Sequence, residues 1–215
     1  MKSKNVTILN YGSGNLLSVK RAFEYCGANV QVTNNPKVIK ISDRLVIPGV
    51  GAFSSGINAI KKQNIFDPLI KFNETQRPLL GICLGMQLFA TKSYEFGINK
   101  GLDIIPGEVI KIKTKTKENH DINIPHIGWA EINFKFENIN SKLTMSDIDN
   151  TKNFYYMAHS YQFVPDKSEN IMAHCFYGGH KIVAAIHHEN VTGFQFHPEK
   201  SANQGLELLN KFLKI

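Results

Sequence analysis

The sequence lacks the features of a secreted, membrane-spanning or metal-binding protein. It has three cysteines in 215 residues, Cys26, Cys83 and Cys175, and their spacing matches neither a zinc site nor a disulfide framework. No apolar run approaches the ~20 residues of a membrane span, and residues 1–5 lead into a predicted strand without a secretory signal. The eight histidines form no cluster with metal-ligand spacing. We therefore expect a cytoplasmic protein without metal or cofactor.

Arginine is also scarce, which argues against nucleic-acid binding. The formal net charge is +7, but Arg21, Arg44 and Arg77 are the only arginines, and arginine is the residue that reads phosphates and guanine edges bidentately. Between residues 111 and 117, four lysines alternate with other residues, so in a strand they would share one face. We interpret this face as solvated. A docking surface for a phosphorylated substrate or an acidic partner is the alternative.

The first half of the chain alternates between predicted strands and predicted helices. Its length and 42% hydrophobic content suit one domain, residues 1–215, with a sizeable core. Strands are predicted at residues 6–10, 30–33, 44–47 and 77–80, and helices at 16–26, 54–62 and 65–72. This order is typical of parallel βαβ units with right-handed crossovers.

The second half consists mainly of short predicted strands. These cover residues 109–113, 130–134, 154–157, 171–177, 182–186 and 191–196, with polar loops at 113–123 and 137–152 and an amphipathic helix at 201–215. We therefore predict an α/β fold with a mixed, mostly parallel central sheet flanked by helices. We expect the antiparallel strands to come from the second half of the chain.

The heptapeptide Gly-Ile-Cys-Leu-Gly-Met-Gln at residues 81–87 carries the candidate nucleophile. A Gly-x-Cys-x-Gly between a strand and a helix is the thiol version of the nucleophile elbow, in which Cys83 is held on a sharp turn. A helix N-terminus beneath the sulfur would favour the thiolate. A buried structural cysteine is the alternative. The helical or strand periodicity around Cys26 and Cys175 predicts that those two thiols pack in the core.

A candidate base follows far downstream, at residues 193–199. In an extended segment His197 and Glu199 would point to the same side, so the carboxylate could hold one ring nitrogen while the other faces outward. Pro198 stiffens this pair. A thiol nucleophile requires this combination of base and orienting group, although a surface ion pair would have the same sequence.

Two glycine-containing segments carry weaker signals. Residues 48–53 contain Gly49, Val50 and Gly51 at the end of a predicted strand, where a loop can turn backbone N–H groups towards a ligand. Residues 12–15 lack the full GxGxxG spacing, so we interpret them as a turn with helix-capping side chains.

Together these motifs resemble those of the class I (triad) glutamine amidotransferases, and most closely the glutaminase subunits of imidazole glycerol phosphate synthase. The matching stretches are residues 10–15, 48–53, 81–87, 125–129, 159–161 and 194–201. They follow the order of the family along nearly the whole chain. The resemblance implies that Cys83 attacks the side-chain amide of glutamine, that His197 acts as general base and acid, and that Glu199 fixes its tautomer.

The resemblance further implies an oxyanion hole. The backbone N–H of Leu84, which follows the nucleophile, would donate to the oxyanion. An N–H of the loop Gly49, Val50 and Gly51 would be the second donor.

It also implies a glutamine pocket. Gln87 and Glu95 fall at substrate-binding positions of the family, where a carboxylate suits the α-ammonium group of glutamine. The backbone of His159, Ser160 and Tyr161 would form the opposite wall.

Such subunits pass ammonia to a (βα)8-barrel synthase with which they form a heterodimer. Trp129, Tyr156 and Lys200 lie in or beside motifs that face this partner. Alternatively, the two aromatic residues belong to the core and the lysine is solvated.

Other functions stay open at the level of sequence. Residues 155–163 and the lysine-rich segment depart from the usual histidine-pathway pattern, and paralogues of this subunit supply ammonia for amidino sugars of surface glycans. A cysteine hydrolase acting alone and a catalytically silent binding subunit are further alternatives. The intact Cys83, His197 and Glu199 argue against a silent subunit.

Overall fold

The computed structural model describes residues 4–135 and 153–215 as strands and helices around one large sheet. The helices in these residues are α1 (Leu16–Tyr25), α2 (Pro36–Ile41), α3 (Phe53–Lys62), α4 (Phe66–Glu74), α5 (Leu84–Gln87) and α6 (Ala202–Lys214). The strands are β1 (Asn5–Leu9), β2 (Asn29–Thr33), β3 (Leu45–Ile47), β4 (Leu79–Ile82), β5 (Lys92–Ser93), β6 (Asn99–Lys100), β7 (Gly107–Lys111), β8 (His126–Glu131), β9 (Asn133–Phe134), β10 (Phe154–His159), β11 (Tyr161–Pro165), β12 (Ile171–Tyr177), β13 (His180–His188) and β14 (Val191–Phe194). Among these helices, none has the length and apolar character needed to cross a membrane.

The central sheet has eight strands in the order β2-β1-β3-β4-β14-β13-β12-β9. Strands β2, β1, β3, β4 and β14 are mutually parallel, whereas β13, β12 and β9 continue the sheet with antiparallel pairing. The predicted mixed sheet is therefore confirmed. Because β4 and β14 are parallel neighbours, their carboxyl ends lie at the same edge, where the residues that follow each strand can meet.

Helices cover both faces of this sheet, and alternating strand residues divide the core between them. In β3, Val46 packs with the cluster that includes α1 and α6, whereas Leu45 and Ile47 pack with the cluster that includes α3 and α4. This is the period of two expected for a strand that is buried on both faces. On the first face, Phe23 of α1 meets Phe212 of α6 edge to face, with ring centroids 6.1 Å apart.

Two smaller sheets stand beside the central one. Strands β8 and β10 pair antiparallel, and β11, β7, β5 and β6 form a four-stranded sheet in that order. The turn between β10 and β11 brings residues 159–161 towards the nucleophile, so these accessory sheets supply the far wall of the site.

The structure departs from the sequence predictions in several places. Strand β7 ends at Lys111, so the lysines at 113, 115 and 117 lie on an exposed loop and share no strand face. Helix α2 was not predicted, although Asn35 caps it by accepting the N–H of Lys37 and Pro36 begins it. Strand β11 was also missed. The polar loop predicted at 137–152 lies outside the described residues.

Candidate active site

Cys83 lies on a sharp turn between β4 and α5. Its backbone has φ 52° and ψ −109°, a region that costs a non-glycine residue of order 1–3 kcal/mol. The flanking positions must be glycine because neighbouring backbone atoms lie too close to leave room for a side chain. A Cβ atom on Gly85 would lie 1.8 Å from the carbonyl oxygen of Ile47, and one on Gly81 would lie 2.6 Å from a backbone nitrogen of α5. The turn is thereby fixed against β3 and β4.

The helix that follows Cys83 is short. Helix α5 contains only four residues, Leu84–Gln87. Because the helix macrodipole is a sum over aligned peptides, a single turn supplies little of it. A helix does begin directly after Cys83, as expected, but its contribution to the thiolate is small, and the groups around the sulfur become more important.

His197 follows the neighbouring strand β14 and is almost completely buried, with 1% of its side chain exposed. Its backbone N–H donates to the carbonyl oxygen of Tyr156 at 2.9 Å, and its own carbonyl oxygen accepts the hydroxyl of Ser201 at 2.6 Å. These bonds fix the backbone on which the imidazole is carried. The structure thus brings the predicted base to the sheet edge that carries Cys83.

Glu199 orients this imidazole, but through a different backbone from the one predicted. Residues Pro198–Lys200 form a single 3₁₀ turn rather than an extended segment. The carboxylate Oε1 lies 2.7 Å from Nδ1 of His197, and its side chain has no exposed surface. Since Nδ1 is occupied in this way, Nε2 is the ring nitrogen that remains for proton transfer at Cys83.

Asn15 also binds this carboxylate, a role that the sequence reasoning missed. Its Nδ2 donates to Oε1 of Glu199 at 2.6 Å and lies 3.4 Å from Nδ1 of His197. Asn15 precedes α1 with φ 74° and its side chain makes no helix cap, contrary to the capping role expected for this turn. The bond joins residues 184 positions apart, so no local pattern could have revealed it.

The electrostatics of the site favour a protonated His197. Burial alone would lower the pKa of His197, but the neighbouring Cys83 sulfur and the Glu199 carboxylate outweigh burial and raise this pKa well above its ordinary value. An imidazolium held beside a sulfur stabilises the negative thiolate. Cys175 differs, because burial raises the pKa of its thiol to about 12. Burial also raises the pKa of Cys26.

A pocket opens in front of Cys83 and gathers most of the predicted site residues. Its lining consists of Val50, Gly51, Cys83, Leu84, Gln87, Glu95, Pro125, Ala158, His159, Ser160 and Tyr161. Of the residues assigned to the oxyanion hole or to substrate, only Gly49 is outside this lining. Among the described residues, no group of three or more His, Cys, Asp or Glu side chains is placed to hold a metal ion.

Several side chains at the pocket wall are fixed by internal hydrogen bonds. The Oε2 atom of Glu95 accepts the backbone N–H of Phe53 at 2.6 Å, which ties the pocket to the start of α3. The Nε2 atom of Gln87 donates to the carbonyl oxygen of Tyr161 at 2.9 Å. Nδ1 of His159 lies 2.8 Å from the same oxygen, and burial lowers the pKa of His159 to about 4, so the ring is neutral at physiological pH.

The candidate oxyanion loop turns a carbonyl, not an N–H, towards the nucleophile. The N–H of Leu84 donates to the carbonyl oxygen of Gly49 at 3.3 Å. The N–H of Val50 donates to Oγ of Ser13 at 2.9 Å, and this hydroxyl donates in turn to the Val50 carbonyl at 3.0 Å. In this arrangement both expected donors are engaged within the protein, so the peptide between Gly49 and Val50 would have to rotate before its N–H could reach an oxyanion.

Trp129, Tyr156 and Lys200 form one surface group beside the site, which we call the aromatic patch. The rings of Trp129 and Tyr156 meet edge to face with centroids 6.3 Å apart, and Nζ of Lys200 lies 5.7 Å from the Tyr156 centroid. Trp129 is 53% exposed, which argues against a core role. Because the Tyr156 ring also lies 6.5 Å from that of His197, the patch adjoins the candidate active site.

The fold and the arrangement of thiol, imidazole and carboxylate are those of a triad amidotransferase. The family model for glutamine amidotransferase class-I matches residues 7–215, and the chain belongs to this family.

Curated relatives narrow the comparison. The chain is 41% identical over 211 residues to "Imidazole glycerol phosphate synthase subunit HisH 1" of Legionella pneumophila (strain Paris), covering 98% of this chain and 99% of that protein. It is 38% identical over 208 residues to "Imidazole glycerol phosphate synthase subunit HisH" of Geobacter sulfurreducens, covering 96% and 97%.

Solved structures are similar in fold at lower identity. "Structure of PurLQS from Thermotoga maritima" matches with a TM-score of 0.70 and 20% identity, covering 100% of this chain and 99% of that one. The glutaminase domain of Trypanosoma brucei CTPS with bound acivicin matches with a TM-score of 0.62 and 17% identity, covering 98% and 94%.

Proposed function

We propose that this chain is the glutaminase subunit of an imidazole glycerol phosphate synthase. It hydrolyses glutamine to glutamate and passes ammonia to a (βα)8-barrel cyclase partner, which makes imidazole glycerol phosphate and AICAR in histidine biosynthesis. The observation that carries the proposal is the buried Cys83, His197 and Glu199 arrangement at one sheet edge. Relatives of that name, 37–41% identical over nearly the full length, support the choice of acceptor.

The first half-reaction forms a thioester. The Cys83 thiolate attacks the side-chain carbonyl carbon of glutamine, and the carbonyl oxygen takes up the negative charge. His197, protonated on Nε2, gives its proton to the nitrogen as the carbon–nitrogen bond breaks. Ammonia leaves, and a γ-glutamyl thioester remains on the sulfur.

The second half-reaction releases glutamate. His197 is now neutral and accepts a proton from water, whose oxygen attacks the thioester carbon. The sulfur leaves as thiolate, and the imidazolium beside it restores the starting ion pair. Throughout both steps Glu199 keeps Nδ1 protonated, which leaves Nε2 as the nitrogen that exchanges protons.

The pocket wall suits a free amino acid. The Glu95 carboxylate supplies negative charge for the α-ammonium group, and its bond to Phe53 fixes its position. Gln87 and residues 159–161 line the same pocket, where they would face the remaining polar groups of glutamine. Recognition of both charged ends would favour free glutamine over a glutamine within a peptide.

The aromatic patch is the proposed docking site for the barrel partner. Trp129 and Lys200 are exposed and Tyr156 is partly buried. The patch combines aromatic rings with a cation and adjoins His197. Exposed aromatic side chains are enriched in protein interfaces. A partner seated there would lie beside His197, the group that gives its proton to the departing nitrogen.

The test is an assay of the purified chain with and without its cyclase partner. We expect glutamine-dependent formation of imidazole glycerol phosphate by the pair, with one glutamate released per product. In the Cys83→Ala complex, added ammonium salts should still support product formation while glutamine should not.

Other outcomes of this assay would support one of the alternative functions. Glutaminase activity coupled only to an amidino-sugar synthase would identify the paralogous pathway. Full activity without a partner would indicate a stand-alone hydrolase, and no turnover with either partner would indicate a binding subunit.

A further inference from the structure

Gln195 is a buried polar residue that the triad chemistry leaves unused. It lies just after β14 and has no exposed surface. Its backbone N–H donates to the carbonyl oxygen of Ala184 at 2.9 Å, and the carbonyl oxygen of the preceding Phe194 accepts the N–H of Cys83 at 2.7 Å. Gln195 and the nucleophile are therefore held on paired backbones, although they lie 112 positions apart in the sequence.

The hydrogen-bond network determines which way the Gln195 amide faces. The carbonyl oxygen of Tyr161 can only accept, so the group of Gln87 that lies 2.9 Å from it must be the NH₂. The same Nε2 lies 2.9 Å from the Gln195 amide. That contact requires an acceptor, so Oε1 of Gln195 faces Gln87. The opposite atom, Nε2, then faces the sulfur of Cys83 at 3.7 Å, a distance suited to the large sulfur atom.

We propose that Gln195 is a catalytic hydrogen-bond donor to the nucleophile, which favours the thiolate of Cys83 over the thiol. A donor binds an anion more strongly than a neutral group. An amide is also well suited to this position, because it donates without competing for the proton as a base. The one-turn helix α5 contributes little field at the sulfur, so the amide and His197 are the groups that favour the anion.

A second contact of the sulfur acts in the opposite sense and is weaker. The carbonyl oxygen of Ala158 lies 3.9 Å from the sulfur. It can accept only from the protonated thiol and repels a thiolate. The sulfur thus has an acceptor on one side and a donor on the other, and removal of the donor should shift the balance towards the thiol.

The rate at which iodoacetamide alkylates Cys83 in the isolated chain tests this proposal directly. The reaction is monitored by mass spectrometry of the peptide that contains Cys83. The rate rises with pH as the thiol ionises and reaches a plateau. Hydrogen bonds to charged groups are strong enough that loss of this one should move the midpoint upward by about one pH unit.

The alkylation rate at the high-pH plateau provides a second test of the proposal. A more basic thiolate is more nucleophilic, with a Brønsted coefficient of about 0.4–0.5. For a shift of one pH unit, the plateau rate should therefore rise about threefold. Below both midpoints, where the thiolate fraction falls about tenfold, the rate should fall about threefold. Opposite changes at low and high pH are not expected from general damage to the site.

Gln195→Met is the main variant, since methionine has a similar length without donor or acceptor oxygen. Gln195→Glu keeps an oxygen for Gln87 but places a carboxyl group at the sulfur, and should move the midpoint upward at least as far. Gln162→Met is the matched control. Gln162 is also buried, and its Oε1 accepts the Val183 N–H at 3.0 Å. It should leave the midpoint in place, and urea unfolding of all variants separates stability from reactivity.

If the Gln195 variants fail to fold, an NMR measurement on native Gln195 still tests the proposal. The side-chain amide signal of Gln195 in NMR spectra should titrate with the alkylation midpoint in the native chain and not in Cys83→Ser. The proposal is wrong if folded Gln195→Met keeps the native midpoint and plateau, or if the amide signal does not respond to ionisation of the thiol. The proposal rests on the proposed glutaminase function. These measurements need neither glutamine nor a partner, so a negative result can be distinguished from a failure of the glutaminase proposal.

Discussion

The surroundings of the three cysteines give this chain one candidate nucleophile. Cys83 borders the pocket and lies near a raised-pKa histidine, whereas Cys175 has no exposed surface. Cys26 is partly buried, and its sulfur lies 3.5 Å from the carbonyl oxygen of Leu206. Reactivity should therefore be confined to one thiol.

We expect Cys83→Ala to abolish glutamine hydrolysis while preserving the fold, since the change removes only the sulfur atom of a buried side chain. An electrophilic glutamine analogue should modify Cys83 in the native chain. Peptide mass spectrometry identifies the labelled residue. Equal labelling of Cys175 or Cys26 would show that the assignment is wrong, and Cys175→Ser serves as the control variant.

The triad carboxylate should matter less than the base it orients. His197→Ala removes general acid–base catalysis, typically worth ~10²–10⁴-fold in rate. Glu199→Gln keeps a group that can bind Nδ1 and should cost less. Steady-state turnover of the complex with its partner compares the two variants, and a greater loss for Glu199→Gln would contradict the orienting role.

Asn15 extends this comparison, because its amide donates to the carboxylate of Glu199. We expect Asn15→Leu to lower turnover by less than His197→Ala, with a changed pH profile of turnover. Asn35→Leu is a suitable control, since Asn35 caps a helix away from the pocket. An unchanged pH profile in Asn15→Leu would leave Asn15 with a structural role only.

At the scale of elements, two loops meet in front of the nucleophile. The turn at residues 12–15 holds the oxyanion loop through Ser13 and the triad through Asn15. Such a contact can stabilise one peptide orientation of the loop over another. The turn therefore links the two halves of the catalytic machinery.

We expect Ser13→Ala to raise the glutaminase rate of the isolated chain. The change removes the acceptor of the Val50 N–H, so the peptide can turn that N–H towards the oxyanion more easily. Loss of one hydrogen bond of about 1 kcal/mol corresponds to roughly a fivefold increase. Ser55→Ala, on the exposed side of α3, is the control.

A reduced or unchanged basal rate in Ser13→Ala would contradict this account. Glycine substitutions in the loop are less informative, because a Cβ atom on Gly49 would lie 2.1 Å from the Tyr11 hydroxyl. The partner's stimulation should shrink in Ser13→Ala, since part of its effect is already present. The ratio of stimulated to basal rate measures this.

Local chemistry made much of the site predictable, and long-range contacts made the rest unpredictable. Cys83 between glycines and the pair His197 and Glu199 can be found from spacing, because each motif is built within a few residues. Gln195 stands in the same motif as His197, yet its contact with the sulfur depends on the pairing of β4 and β14. Asn15 is recognisable only once α1 is placed against the turn that carries Glu199.

The same distinction between local sequence signals and long-range contacts holds for the helices and strands. Strands β1, β3 and β4 were predicted because each is a short apolar run followed by a turn or loop and a helix. Helix α2 had a local signal in Asn35 and Pro36 that was overlooked. Strand β11 lies at the edge of its sheet, where Pro165 is tolerated, but it pairs with β7 far away in the sequence, so this pairing could not be deduced from composition.

At the scale of the whole molecule, buried neutral histidines make stability depend on pH. His159 has an ordinary pKa of 6.5 in the unfolded chain, and burial lowers it to about 4 in the folded chain. The unfolded state therefore binds more protons between these values, so stability is full above pH 6.5 and falls as pH drops towards 4. The difference corresponds to roughly 3 kcal/mol.

Urea unfolding at pH 7.5, 6 and 5 should show this loss as a falling midpoint. In His159→Gln, which keeps a donor for Tyr161 but does not titrate, the decline should be shallower. His120→Gln, at an exposed loop position, should behave like the native chain. Identical slopes for all three proteins would show that His159 does not control the acid response.

The central position of β14 bears on how the protein is made. Of the strands in residues 4–135 and 153–215, β14 is the last in sequence, yet it lies between β4 and β13 and joins the two parts of the sheet. During translation the thiol emerges long before the imidazole and carboxylate, and the sheet edge that unites them cannot close until residues 191–194 are available. We expect a fragment ending at residue 190 to release no glutamate from glutamine. A ribosome-bound or prematurely terminated chain is therefore harmless to the glutamine pool of the cell, because activity appears only with the final strand.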